Sequence, residues 1–144
     1  MKTIKEILQS KPLGVLSISP EASVLDALRL MAEKEVGALV VLENERLAGI
    51  FSERDYARKV ILHGKSSKDT SVREIMTSKV VYVRPEQSVE ECMALMTDKR
   101  IRHLPVVEGS RLVGVISIGD AVKAIISERE FTIEQLQSYI RGSG

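Results

Sequence analysis

The chain has 144 residues, 44% of them hydrophobic but only 3% aromatic, and its 21 Lys and Arg stand against 20 Asp and Glu for a net charge of +1. A chain of this length suits one domain that buries roughly 68–70% of its unfolded surface, here around an aliphatic core. The near-zero charge excludes a global field for nucleic acid or anionic lipid, and one Cys with two His excludes an internal disulfide and a zinc cluster of soft ligands.

Residues 1–13 read as a lead-in with a short amphipathic helix at Ile4 to Leu8. Its charged start lacks the apolar stretch of a signal peptide, and no later run nears the ~18 apolar residues of a membrane span, so a soluble, cytoplasmic protein is expected. Residues 14–62 then read as strand, helix, strand, strand, helix. The first strand is short and ends at Pro20. A helix begins at Ser23 and places Val24, Ala27, Leu28 and Met31 on one apolar stripe. Ala38 to Leu42, the polar turn Glu43-Asn44-Glu45 and the next apolar run predict a buried hairpin. After Gly49-Ile50-Phe51 the spacing turns helical, with Tyr56 and Val60 as its apolar positions.

Residues 63–78 read as the linker, polar and turn-rich from His63 to Thr70, with His63 simply solvated. Residues 79–127 repeat the earlier pattern. Pro20-Glu21-Ala22-Ser23-Val24 returns as Pro85-Glu86-Gln87-Ser88-Val89, an offset of 65 that holds without a gap to Ile61 and Ile126. Val89, Cys92, Met93 and Met96 form the second stripe, which makes Cys92 and the methionines at 31, 93 and 96 packing residues. Ala121, Val122, Ile125 and Ile126 carry the second terminal helix. Residues 128–144 supply a flanking helix at Phe131 to Ile140 and a flexible Gly142-Ser143-Gly144 tail.

Each repeat carries Gly-apolar-apolar-Ser-x-x-Asp where its last strand meets its last helix: Gly49 to Asp55, and Gly114 to Asp120. A helix N-terminus offers unpaired amides to a phosphate, and a carboxylate one turn in can accept both hydroxyls of a ribose. The same Ser and Asp also have the spacing of a helix-capping box, which needs no ligand. Duplication would copy either feature, so the residues alone leave both open.

The duplicated pattern resembles the tandem CBS-domain pair, or Bateman module, over residues from about 14 to 127. The resemblance is carried by Gly49-Ile50-Phe51-Ser52-Glu53-Arg54-Asp55-Tyr56-Ala57-Arg58-Lys59-Val60, by Arg102-His103-Leu104-Pro105-Val106, and by Glu74-Ile75-Met76-Thr77. It implies an α+β fold of two β-α-β-β-α units packed sheet to sheet about a pseudo-two-fold axis, with short flanking helices. Two clefts for adenosine ligands, homodimerisation and a protein target met in trans are implied as well. The resemblance assigns ribose contacts to Asp55 and Asp120, and hydroxyl or phosphate contacts to Ser52 and Ser117. Adenine is expected against backbone near Ile18, Ala38, Val81 and Leu104. Thr77, Lys79 and Pro105 complete the expected binding set.

The two clefts differ chemically. Beside Asp120 stand Ile118 and Gly119, with no acid to repel a phosphate, and Arg102 and His103, on a strand that the resemblance places nearby, add donors; this cleft is expected to take AMP. Beside Asp55 stand Glu53, which opposes an anion, and the cations Arg54, Arg58 and Lys59, which favour one, so this cleft is expected to hold the second half of a dinucleotide such as NAD(H), or nothing. Arg102 can instead pair with Asp98 or Glu108, and His103 can be an ordinary strand histidine. ATP or S-adenosylmethionine are the alternative ligands, and no metal is expected. No nucleophile elbow, phosphate-binding loop or zinc-protease motif is present, so the reading is a non-catalytic sensor, with a ligand-free dimerisation scaffold as its alternative.

Overall fold

A computed structural model describes residues 2–10 and 16–140. They divide into two compact units that cut across chain order: residues 16–81 with 109–112, and residues 2–10, 82–108 and 113–140.

In the first unit, β1 (Ser17–Ile18) lies parallel to β2 (Ala38–Glu43), which pairs antiparallel with β3 (Arg46–Ser52). The crossover from β1 to β2 is α2 (Val24–Lys34). Its start is fixed by Ser23, whose Oγ accepts from the Asp26 amide at 3.0 Å, and its inner face buries Val24, Ala27 and Met31. The helix stops at Glu35, which adopts a left-handed φ of 55°. Asn44 and Glu45 both have positive φ in the β2–β3 connection, the signature of a two-residue type I′ hairpin turn. The terminal helix starts as α3 (Glu53–Asp55) and continues as a π-helical stretch, Tyr56–Ile61, that buries Val60.

The stretch from 63 to 78 holds more than a surface connection. Its first part is exposed, but α4 (Val72–Ile75) follows, and Val72 and Ile75 join Leu39, Val41, Phe51 and Val60 in the core of the first unit. Backbone bonds from the Val72 amide to Ala22 and from the Arg73 amide to Pro20, both 2.9 Å, dock α4 on the approach to α2. Thr77 then exchanges two backbone bonds with Ile50, adding a bridge to β3. A helix of four residues is too short to register as a periodic pattern, which is why only its polar flank was legible.

The second unit repeats this with parts drawn from a different place. Its short helix is α1 (Ile4–Gln9), whose Ile4 and Lys5 amides donate to Gln87 and Pro85 at 2.9 Å. The lead-in therefore does for α5 (Val89–Lys99) what α4 does for α2. β4 (His103–Glu108) and β5 (Arg111–Ser117) form the hairpin, and Gly109 takes the positive φ at its turn. The strand expected before Pro85 is reduced to one parallel bridge between Val83 and Val106. The cause lies in β4: at the position where Val40 donates its amide to Leu16, this repeat has Pro105, which has no N–H to give.

The expected flanking helix is not separate. A single 23-residue helix, α6 (Ile118–Ile140), carries on from the second repeat, burying Ala121 and Ala124. Val122 and Ile126, expected on its apolar face, are instead 40% and 50% exposed. The Gly142-Ser143-Gly144 tail lies outside the described residues. No helix among them is long and apolar enough to cross a membrane, and no three His, Cys, Asp or Glu cluster as metal ligands would.

Candidate functional site

The strand-to-helix junction of the first repeat is built around Asp55. β3 brings Ser52 to the helix start in extended conformation, and the pair closes a capping box. The Ser52 amide donates to Asp55 Oδ2 at 3.0 Å, the Ser52 hydroxyl donates to the same oxygen at 3.1 Å, and the Asp55 amide donates to Ser52 Oγ at 3.2 Å. The other carboxylate oxygen is also occupied. Thr77 donates its hydroxyl to Asp55 Oδ1 at 3.1 Å, and Lys59 Nζ pairs with it at 3.1 Å while bonding the Ile75 carbonyl. Asp55 is 8% exposed, so ribose hydroxyls would have to displace these donors. Lys59 is committed to this network and is not the anion-facing cation the sequence suggested.

The second junction repeats the cap. The Ser117 amide donates to Asp120 Oδ2 at 2.9 Å, and the Asp120 amide to Ser117 Oγ at 3.1 Å. Asp120 is half-buried, while Ile118 and Gly119 between them are exposed. At both junctions the first helical amide is already used: Glu53 donates to the Gly37 carbonyl at 3.1 Å, and Ile118 to the Arg102 carbonyl at 2.8 Å. The capping reading thus holds at both ends, and the expected supply of unpaired amides is smaller than the motif implied. The bond from Ile118 places Arg102, whose side chain is exposed, beside the mouth of α6.

The glycines of the motif have separate roles. A Cβ on Gly49 would lie 2.7 Å from the Thr77 carbonyl oxygen and 2.8 Å from Met76 Sδ, and one on Gly114 would lie 2.5 Å from Leu8 Cδ2. Gly49 is required by the close approach of the segment that follows α4, and Gly114 by that of α1. Gly119 is different, since a Cβ there would meet only Ser117 Oγ at 3.6 Å.

The expected site residues fall into two groups. Ile18, Ala38, Ser52, Arg54, Asp55, Arg58, Thr77, Lys79 and Val81 belong to the first unit, where Ala38 lies directly opposite Ser52 in the β2–β3 register. Arg54, Arg58 and Lys79 are exposed, and Ile18, Ala38 and Val81 half-buried. Arg102, His103, Leu104, Pro105, Ser117, Ile118, Gly119 and Asp120 belong to the second. Leu104 is fully buried, backbone and side chain alike. Cys92 is likewise core, its thiol pushed up to about 11 by burial and then by the charge of Asp120.

Sequence reasoning missed a cavity of about 530 Å³ on the first unit, walled by Leu28, Met31, Ala32 and Val36 and rimmed by Glu35 and Glu53. It contains none of the expected site residues. Its signal in the sequence was weak, because Leu28 and Met31 read as ordinary stripe positions.

The CBS domain matches residues 4–62 and 72–127. These spans take in α1 and α4 as well as the repeats. The chain is 43% identical, over 97% of its length and 72% of the other's, to the CBS domain-containing protein CBSX3, mitochondrial, of Arabidopsis thaliana. A solved structure of a CBS-domain protein from Burkholderia ambifaria MC40-6 superposes with a TM-score of 0.85 at 53% identity, covering 88% of this chain and 95% of that one. The CBS domain pair of protein MJ0100, in complex with 5′-methylthioadenosine and S-adenosyl-L-methionine, shares the fold at a TM-score of 0.78 and 24% identity, covering 89% and 98%.

Proposed function

The chain belongs to the CBS-domain family, and on that premise we propose that it is a regulatory module that takes up an adenosine-type ligand, AMP or NAD(H), and signals by a change of packing without chemistry. The observation that carries this reading is the mouth of α6. Asp120 is half-exposed there, Arg102 is hydrogen-bonded through its backbone to the first helical residue, and glycine stands at 119 although neither its backbone angle nor its packing demands one. An open glycine at a helix start lets an anion reach the backbone closely. The adenosine ligands of MJ0100 support the ligand class.

In this reading Asp120 receives the ribose, and Gly119, Arg102 and His103 face the phosphate. Ligand uptake shifts the equilibrium between packing arrangements by its difference in affinity for them, and a second copy and a target protein read the result. The protein acts in the cytoplasm.

A ligand-free scaffold is the second reading, favoured by the engagement of both Asp55 carboxylate oxygens within the protein. A thermal-shift series with AMP, ADP, ATP, NAD, NADH and S-adenosylmethionine separates the two. A ligand at 100 times its Kd stabilises by about 2.7 kcal/mol, whereas no shift with any of the six leaves the scaffold. Nucleotide recovered intact after long incubation is the expected outcome for a non-catalytic module.

A further inference from the structure

We propose that Lys59 is a gate on the first junction: its ammonium takes the place on Asp55 that a ribose hydroxyl needs, so the junction stays shut to adenosine-type ligands until the lysine leaves; this rests on the adenosine reading above and adds what controls access to one junction. An ionised carboxylate accepts at about four lone-pair sites, and at Asp55 they are taken. Oδ2 holds the amide and the hydroxyl of Ser52 at 3.0 and 3.1 Å, and Oδ1 holds the hydroxyl of Thr77 and the ammonium of Lys59, both at 3.1 Å.

These donors are not equally hard to displace. A Ser or Thr hydroxyl has one rotatable proton and can turn it elsewhere when a ribose hydroxyl arrives. The ammonium instead brings a full charge to a carboxylate whose side chain is only 11% exposed, and charge-assisted hydrogen bonds are roughly twice as strong as neutral ones. An uncharged diol does not outcompete it. Lys59 is held from a second side as well, since Nζ donates to the carbonyl of Ile75, the last residue of α4, at 3.1 Å. The lysine side chain is itself 44% exposed, so it reaches Asp55 from solvent, and neutralising it opens Oδ1 to an incoming hydroxyl. Along the chain offset of 65 the counterpart of Lys59 is Ala124, which is buried. The second repeat has no ammonium at this position, and the gate belongs to the first junction.

Calorimetric titration of the full chain with AMP tests the gate, with circular dichroism confirming that each variant folds. Wild type is expected to take up a single AMP per chain, at the second junction. Lys59→Met takes up a second, the affinity of the first junction rising at least about tenfold once the competing charge is gone. Lys59→Arg keeps the charge and keeps the single site. Lys59→Gln removes the charge but retains a donor, and it gives the same second AMP where Lys59→Met does not fold. Combined with Asp120→Ala, Lys59→Met retains an AMP site of undiminished affinity, which Asp120→Ala alone lacks. A wild type that already fills both junctions, neutral variants that stay at a single AMP, or a Lys59→Arg variant that gains the second, each overturns the gate and leaves the adenosine reading standing. No AMP taken up by wild type or by any variant overturns that reading and the gate together.

Discussion

Thr77 donates its hydroxyl to Asp55 Oδ1 at 3.1 Å across 22 residues of chain, tying the end of the linker segment to the helix start of the first repeat. The carboxylate also caps its own helix and pairs with Lys59, so its work in the folded protein does not depend on a ligand. Asp55→Ala is therefore expected to lower stability by about 2–4 kcal/mol, combining a lost cap with donors left unpartnered in a mostly buried place. Urea unfolding without nucleotide measures this. An unchanged midpoint would mean that Asp55 is held for a ligand alone.

Asp120 is the residue on which ligand recognition is expected to depend. Asp120→Ala should weaken AMP binding by about 1.5–3 kcal/mol, the scale of hydrogen bonds to a charged group. Calorimetry on wild type and variant gives the comparison, and equal affinities would remove Asp120 from the site.

Gly49 and Gly114 occupy matching positions but should respond differently to alanine. The new Cβ at 49 meets a backbone carbonyl oxygen at 2.7 Å, which cannot move without breaking the bridge between Thr77 and Ile50. At 114 it meets the methyl end of Leu8, which can change rotamer. Gly49→Ala should cost about 1–3 kcal/mol, the usual range for overpacking, and Gly114→Ala distinctly less. Equal losses in denaturant would show that Leu8 is as fixed as the backbone.

Cys92 should be inert while the protein is folded. Its thiol is pushed up to about 11 from an ordinary 9.0, and the residue is fully buried, so little thiolate forms at pH 8 and none is reachable. Labelling by a thiol reagent should follow unfolding. The raised value also fixes a sign: the unfolded chain loses this proton first, so the contribution to stability is whole below pH 9 and is lost as the pH rises toward 11. Labelling at the same rate in native and unfolded protein would contradict the burial.

The sequence by itself determined the duplication, the long helix and the hairpin of each repeat, and the Ser–Asp junctions, because each depends on spacing along a continuous stretch of chain. The stripe at Val24, Ala27 and Met31, the turn at Asn44-Glu45 and the cap at Ser23 were legible for that reason. Tertiary structure alone decided which short helix serves which repeat. Ile4 docks beside Gln87, and Val72 beside Ala22, through backbone bonds between residues far apart in the chain, and no local pattern encodes such a choice. It also decided that Asp55 is closed in by Thr77 and Lys59, and that Ile118 and Gly119 are exposed beside a half-buried Asp120, since burial and long-range contacts, not spacing along the chain, set how far each junction is enclosed.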